Sequence, residues 1–272
     1  MSWLHTNMIR ALLAVFMLAS PLPASPASPP LDVLSFNIHH AAGVDGVFDL
    51  DRLAAEIHHT HADVVGLQEV DRHYGARSEW TDGPAELARR LGMHVVFGAN
   101  LDLEPPSPGA PRRQYGTAIL SRYPIATWRN TLLPKGDPAE EQRGLLEAVV
   151  VVHGRPLRVM TTHFQHDSAS ARLLQASTVA TYVRASREPV VLTGDLNAPP
   201  AEPEVTTLTD LLTDTHAAVG RGDGFTHPAE APTARIDYVL TSLRPVRSTV
   251  LPTASSDHRP VLTRLLTYDR AE

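Results

Sequence analysis

Three times along this chain a run of β-forming apolar residues stops on an amide or a carboxylate, at Ser35-Phe36-Asn37, Leu67-Gln68-Glu69 and Gly194-Asp195-Leu196-Asn197. A fourth polar cluster, Ser256-Asp257-His258, stands at the entry to a last such run. Packing alone does not produce this pattern, because a core favours apolar residues there and a buried charge is costly unless paired or bound to a metal. Strand ends and the loops they carry are instead where a scaffold displays reactive groups. The pattern therefore demands a strand-rich fold in which distant strand ends converge on one pocket.

Leu31 to Ile38 reads as the first strand and opens the folded part of the chain. Asp49 can cap a helix carrying Leu50, Leu53, Ala54 and Ile57 at helical spacing, and Asp63 to Gln68 follows as a buried strand. Pro84 to Leu91 reads as a helix stopped by Gly92, followed by strands at Val95 to Phe97, Thr117 to Leu120 and Leu145 to Val152. The proline-rich stretch Glu104 to Pro111 is a loop, and the wider segment Asp102 to Gln114 is the place to expect selectivity. The second half gives a strand at Leu157 to Thr162, a helix at Ser168 to Ala185, a strand at Val190 to Thr193 and a helix near Thr206 to Leu212. Strands at Ile236 to Leu240 and Val261 to Leu265 complete it. Strands outnumber helices, and hairpin-like neighbours mix with helical crossovers, which suits two packed sheets flanked by helices better than one doubly wound sheet. We expect one domain over residues 31–272, acting as a monomer.

The net charge of -6 creates no global basic field, so binding of nucleic acid mainly by phosphate neutralisation is not announced. With no cysteine in 272 residues, disulfides and thiolate chemistry are excluded, and any metal must sit on oxygen or imidazole ligands. A short apolar run, Ile9 to Leu18, carries Arg10 near its start and leads into Ser20-Pro21-Leu22-Pro23-Ala24-Ser25-Pro26-Ala27. That is the layout of a cleaved signal peptide and a linker over residues 1–30, predicting a secreted or periplasmic protein. The run is shorter than the ~20 apolar residues a spanning helix needs.

Glu69, after Val64, Val65 and Leu67, is a hard oxygen ligand of the kind Mg²⁺ takes one or two of while keeping several waters. Asp195 and Asn197 point to the same side of an extended chain, although both types are also common turn residues. Asp257 and His258 are adjacent, so their side chains diverge and another carboxylate must orient the imidazole. Asp237, in Arg235-Ile236-Asp237-Tyr238, is the candidate. Such a pair fixes the tautomer and stabilises the imidazolium. His163 ends another strand and can donate to an anionic oxygen. His39, His40, His58, His59 and His61 are assigned to loop or helix surface. Cleaving a phosphate ester needs a positioned oxygen nucleophile, neutralisation of growing charge and help for the leaving group, and this set supplies all three.

With these residues in hand, the chain resembles the endonuclease/exonuclease/phosphatase superfamily from about Leu31 to Leu265. The resemblance includes Leu34-Ser35-Phe36-Asn37, Leu67-Gln68-Glu69-Val70, Gly116-Thr117-Ala118-Ile119-Leu120-Ser121, Thr162-His163, Gly194-Asp195-Leu196-Asn197, Arg235-Ile236-Asp237-Tyr238 and Ser256-Asp257-His258. It implies a four-layer α-β-β-α sandwich of two packed mixed sheets flanked by helices. It also implies Asn37, Glu69 and Asp257 around a divalent metal, Mg²⁺ with Mn²⁺ as the other candidate. Asp195 with Asn197 would position or deprotonate the attacking water. His258, paired with Asp237, would contact the phosphoryl group and act in proton transfer, while His163 stabilises the transition state. Arg143, in Gln142-Arg143-Gly144-Leu145, resembles a substrate-contacting arginine of some members.

The resemblance fixes a reaction type rather than a substrate, since one fold serves many sites. The pattern most resembles bacterial members grouped with sphingomyelinase-like hydrolases, and the expectation is a Mg²⁺-dependent phosphodiesterase or phosphatase, with phosphodiesters the favoured class. The substrate stays open among a phospholipid head group, an inositol phosphate and nucleic acid. The rivals are a secreted nuclease, which would need Arg112, Arg113 and Arg143 in one groove, and an inactive phosphate-binding module.

Overall fold

The computed structural model describes residues 29–267, so the segment read as a signal peptide lies almost wholly outside the described residues. Two six-stranded sheets stack face to face. The first is built from β1 (Leu31–Asn37), β2 (Val64–Arg72), β3 (His94–Leu103), β4 (Arg113–Ser121), β11 (Arg244–Val250) and β12 (Val261–Leu266), in the order β11-β12-β1-β2-β4-β3. The second is built from β5 (Ile125–Leu132), β6 (Gly144–Val152), β7 (Arg155–His163), β8 (Val190–Asp195), β9 (Thr213–Asp214) and β10 (Asp237–Thr241), in the order β5-β6-β7-β8-β10-β9. Parallel pairs, β1 with β2 and β7 with β8, sit at the middle of each sheet, and the other pairings are antiparallel. Helices α1 (Leu50–Thr60) and α2 (Gly83–Leu91) cover the first sheet. Helices α3 (Ala169–Ala185) and α4 (Pro203–Thr209) cover the second, and a short α5 (Thr215–Val219) follows β9. This is the expected four-layer sandwich.

Side-chain alternation along the central strands creates the layers. In β1, Leu34 and Phe36 pack under Leu53, Ile57 and Leu87 of the helices, whereas Leu31 and Val33 join the core between the sheets. In β8, Val190 and Leu192 face Val179 and Val183 of α3, whereas Val191 joins the inter-sheet core with Val159 of β7 and Val239 of β10. The same parity carries Asn37, His163, Asp195 and Asp237 onto the inter-sheet face at the strand ends. Moving along that layer, the valines give way to small polar groups and then to the charged ones. Ser35 Oγ accepts from the backbone N–H of Gly194 at 3.1 Å, and Gln68 Nε2 donates to Thr161 Oγ1 at 2.8 Å, so the sheets are hydrogen-bonded to each other here. The approach is close: a Cβ on Gly66 would lie 1.9 Å from Thr193 Oγ1.

Several expectations are adjusted. β5 and β11 were not anticipated from the sequence, because both are edge strands whose side chains are largely solvated and lack an alternating apolar face. The helix placed near Thr206 to Leu212 begins earlier, at Pro203, where the proline occupies the first turn and loses no hydrogen bond. Val95 to Phe97 is the middle of a longer strand, so the loop between β3 and β4 runs only from residue 104 to 112. Among the described residues no helix is long and apolar enough to cross a membrane.

Candidate active site

Strand register builds the buried half of the site. His163 lies opposite Asp195 across the parallel β7–β8 pair, and Asp237 lies opposite Asp195 across the antiparallel β8–β10 pair. The three form one row on one face, each almost wholly buried. His258, entering from the loop before β12, completes it: its Nδ1 is 2.9 Å from Asp237 Oδ2 and its Nε2 is 3.8 Å from Asp195 Oδ2. Asp237, not the adjacent Asp257, therefore orients His258. The adjacent Ser256 fixes the loop, donating from Oγ to Asn37 O at 2.7 Å and accepting from His258 N at 3.2 Å.

The charges in this row are strongly perturbed. For His258, burial works against the charged form, but Asp237 and then Asp195 and Asp257 outweigh it and raise the imidazole to about 10. Asp195 is pushed up to about 7 by burial first and by the neighbouring charge of Asp237 second. His163 is held well below its usual range by burial, then by Arg143 and His258. Near neutrality the row thus contains an imidazolium bound to one carboxylate, a second carboxyl poised at its own titration, and a neutral imidazole. A carboxyl with a pKa near working pH is suited to taking a proton from water.

Asn197, in a left-handed conformation (φ 51°) just beyond β8, touches both neighbours. Its N–H donates to Asp195 Oδ1 at 2.9 Å, and its side-chain amide lies 3.0 Å from His163 Nε2. Arg143 is buried, with Nη1 3.1 Å from His163 Nδ1 and 2.8 Å from Glu141 Oε1. Arg143 Nη1 at Nδ1 and Asn197 Nδ2 at Nε2 both bring donors to the His163 ring, whose Nε2 is 3.5 Å from Asp195 Oδ2.

The other half comes from the first sheet and is more open. Glu69 follows Gln68, whose side chain is spent between the sheets, so strict alternation would turn Glu69 toward the helices. A register shift between Leu67 and Val70 and a left-handed backbone at Glu69 (φ 57°) re-aim it into the site. Asn37 Nδ2 then donates to Glu69 Oε1 at 2.9 Å and to Asp195 Oδ2 at 3.0 Å, joining the two halves. Asp257 is half-exposed, with His39 Nδ1 3.8 Å from its Oδ1. Neither Glu69 nor Asp257 has an arginine or lysine at ion-pairing distance among the described residues, unlike Asp71, which is paired to Arg77 at 2.8 Å. Unpaired carboxylates flanked by an imidazole and an amide form a donor set that fits a divalent cation.

Residues 34–258 match the model of the Endonuclease/Exonuclease/phosphatase family. The chain belongs to that family. Its members are hydrolases of phosphate esters or nucleic acids and typically depend on a divalent metal. A family protein from Beutenbergia cavernae is 29% identical with a TM-score of 0.74, the match covering 89% of this chain and 72% of that one. A mannosyl-6-phosphatase from Bacteroides thetaiotaomicron shares the fold at 19% identity and a TM-score of 0.71, over 86% of this chain and 99% of that one. Protein cwh43 of Schizosaccharomyces pombe is 30% identical over 145 residues, which are 53% of this chain but 14% of that protein. The uncharacterized protein YbhP of Escherichia coli is 28% identical over 251 residues, 84% of this chain and 93% of that one.

All nine residues singled out in the sequence, Asn37, Glu69, Arg143, His163, Asp195, Asn197, Asp237, Asp257 and His258, gather at this end of the family sandwich. Sequence reasoning missed others. His39 and His40, assigned to the surface, stand beside Glu69, and His40 is held at about 4 by burial and by Arg77. The ring of His227 lies 4.6 Å from that of His258. Tyr115 is buried near enough to Glu69, Glu141 and Arg143 to feel their charges. The one signal in the sequence is the pair His39-His40 two residues beyond Asn37, which does not stand out among the 14 histidines of the chain. The three arginines expected of a nuclease do not form a free basic groove. Arg112 is spent on Asp102 and Glu104, Arg113 donates to Tyr74 O beneath the Tyr74 and Trp80 rings, and Arg143 is buried at His163.

Proposed function

We propose that this protein is an exported phosphodiesterase that uses Mg²⁺ or a similar divalent cation and cleaves its substrate by in-line attack of water. The observation that carries this reading is the row His163–Asp195–Asp237, closed by His258 and tied through Asn37 to Glu69. Held by Glu69 and Asp257, with Asn37 hydrogen-bonded to Glu69 beside them, the cation would neutralise charge on the phosphoryl oxygens. Asp195, with Asn197 beside it, orients the attacking water and takes its proton. His258, charged and fixed by Asp237, presents Nε2–H to the phosphoryl group and supplies a proton to the departing alkoxide. The alkoxide expelled when the P–O bond of a diester breaks needs that proton. His163 and Asn197 would face the equatorial oxygens, with Arg143 holding the His163 ring in place. The presence of every one of these groups speaks against an inactive phosphate-binding module. The spent arginines weaken the nuclease alternative. Export rests on the signal-peptide pattern around Ile9 to Leu18.

Hydrolysis of a chromogenic phosphodiester in the presence of Mg²⁺, abolished by a chelator, is the expected result. A panel of sphingomyelin, phosphatidylinositol, inositol phosphates and plasmid DNA then identifies the substrate class. Exclusive turnover of DNA with a steep salt dependence would replace this reading by the nuclease one.

A further inference from the structure

Immediately after Asn37 the chain makes a single turn in which three successive non-glycine residues, His39, His40 and Ala41, have φ of 42°, 47° and 66°. Left-handed backbone is unfavourable for such residues and persists only where the surroundings over-determine it. Here Asn37 Oδ1 accepts from His39 N at 3.1 Å, and Ala41 N donates to Ile38 O at 2.7 Å. The turn swings both imidazoles to the side of Glu69, so that one donor atom each from His39, His40 and Glu69 lie within 4.8 Å of one another. The two rings sit edge to face at 4.5 Å. His39 Nδ1 is shielded from solvent and makes no hydrogen bond, and 3.8 Å away stands Asp257 Oδ1. An unpartnered, solvent-shielded ring nitrogen beside Asp257, on an imidazole clustered with Glu69, where neither carboxylate has an arginine or lysine partner among the described residues, has the chemistry of a metal ligand.

We infer that His39 Nδ1 is a nitrogen ligand to the cation held by Glu69 and Asp257, so that the site is a mixed nitrogen and oxygen one that favours a first-row transition ion over Mg²⁺. Imidazole suits transition ions, whereas Mg²⁺ prefers carboxylate, carbonyl and water. His40, packed against His39, holds the ring in place. The inference rests on the reading of Glu69 and Asp257 as cation ligands, and it adds a donor to them.

The test uses the full chain, freed of metal and titrated with Mn²⁺ alone, with binding followed by electron paramagnetic resonance and ligand type by electron spin-echo modulation. Bound Mn²⁺ is expected to show coupling to a histidine ¹⁴N. His39→Asn, which tolerates the left-handed backbone, is expected to abolish that coupling. It should weaken Mn²⁺ by about 10- to 100-fold while changing Mg²⁺ affinity, measured by competition, far less. Bound Mn²⁺ without nitrogen coupling in the unaltered protein would overturn the inference and leave the metal-dependent reading standing. Coupling that persists in a folded His39→Asn would assign the nitrogen elsewhere and overturn it equally. Failure of the unaltered protein to bind Mn²⁺ at all would remove both.

Discussion

The two sheets bring unlike chemistry to one pocket. The second sheet contributes His163, Asp195 and Asp237 as a buried row whose charges balance internally, with His258 closing the circuit. The first contributes Asn37 and Glu69, joined by Asp257 and the histidine turn, with carboxylates that find no cationic side chain. On the proposed reading, burial suits the first to moving protons, because low dielectric pulls pKa values apart. On the same reading, exposure and uncompensated negative charge suit the second to holding a cation, so that the division of labour follows the layers of the fold.

Substitutions that remove one charge from each half should separate these roles. The largest effect is expected from Asp195→Asn, which should lower kcat by about 10³- to 10⁴-fold with circular dichroism unchanged. Added cation should not restore it; recovery at high cation concentration would erase the distinction between the halves. Asp237→Asn should cost about 10²-fold and should lower the titration midpoint of His258, read by NMR, from about 10. Glu69→Gln should weaken the cation by about 10- to 100-fold, with turnover substantially regained when cation is raised. If Glu69→Gln lost turnover without losing affinity, the carboxylate would belong to the proton-moving half.

Two smaller effects concern the seam and the balance of charge. Gly66→Ala places a methyl against Thr193 where the sheets touch, and should destabilise the fold by about 1–3 kcal/mol in chemical unfolding. In the metal-free protein, the raised pKa of His258 contributes stability that is complete below its ordinary 6.5 and is lost as pH rises toward about 10. Asp195 acts in the same sense in a lower window, between 3.8 and about 7. The melting temperature should therefore fall from pH 7 to 10, and His258→Asn should flatten that slope. An unchanged slope would mean that the imidazolium is not sustained by Asp237.

Much of this was legible in the residues. Central strands such as β1 and β8 are buried on both faces and advertise themselves as apolar runs, and the groups that end them were readable as a set. Asp237 was recognisable as the partner of His258 because adjacent side chains diverge. What escaped notice depends on backbone departures that composition does not encode. Nothing in Gln68-Glu69-Val70 signals the left-handed residue that turns Glu69 inward, and nothing in His39-His40-Ala41 announces a left-handed turn where glycine is the usual occupant. Edge strands β5 and β11 escaped because solvent on their side chains removes the periodicity on which strand recognition rests.

The alignment of His163, Asp195 and Asp237 as three rungs of one hydrogen-bond ladder also predicts how tolerant the gene is to insertions. A codon added between β3 and β4 lengthens a loop and leaves the rungs where they are. A codon added within β8 upstream of Asp195 reverses the face on which every later side chain emerges and expels the carboxylate from the pocket. Length changes are therefore tolerable in the connections, while the register of the middle strands is fixed.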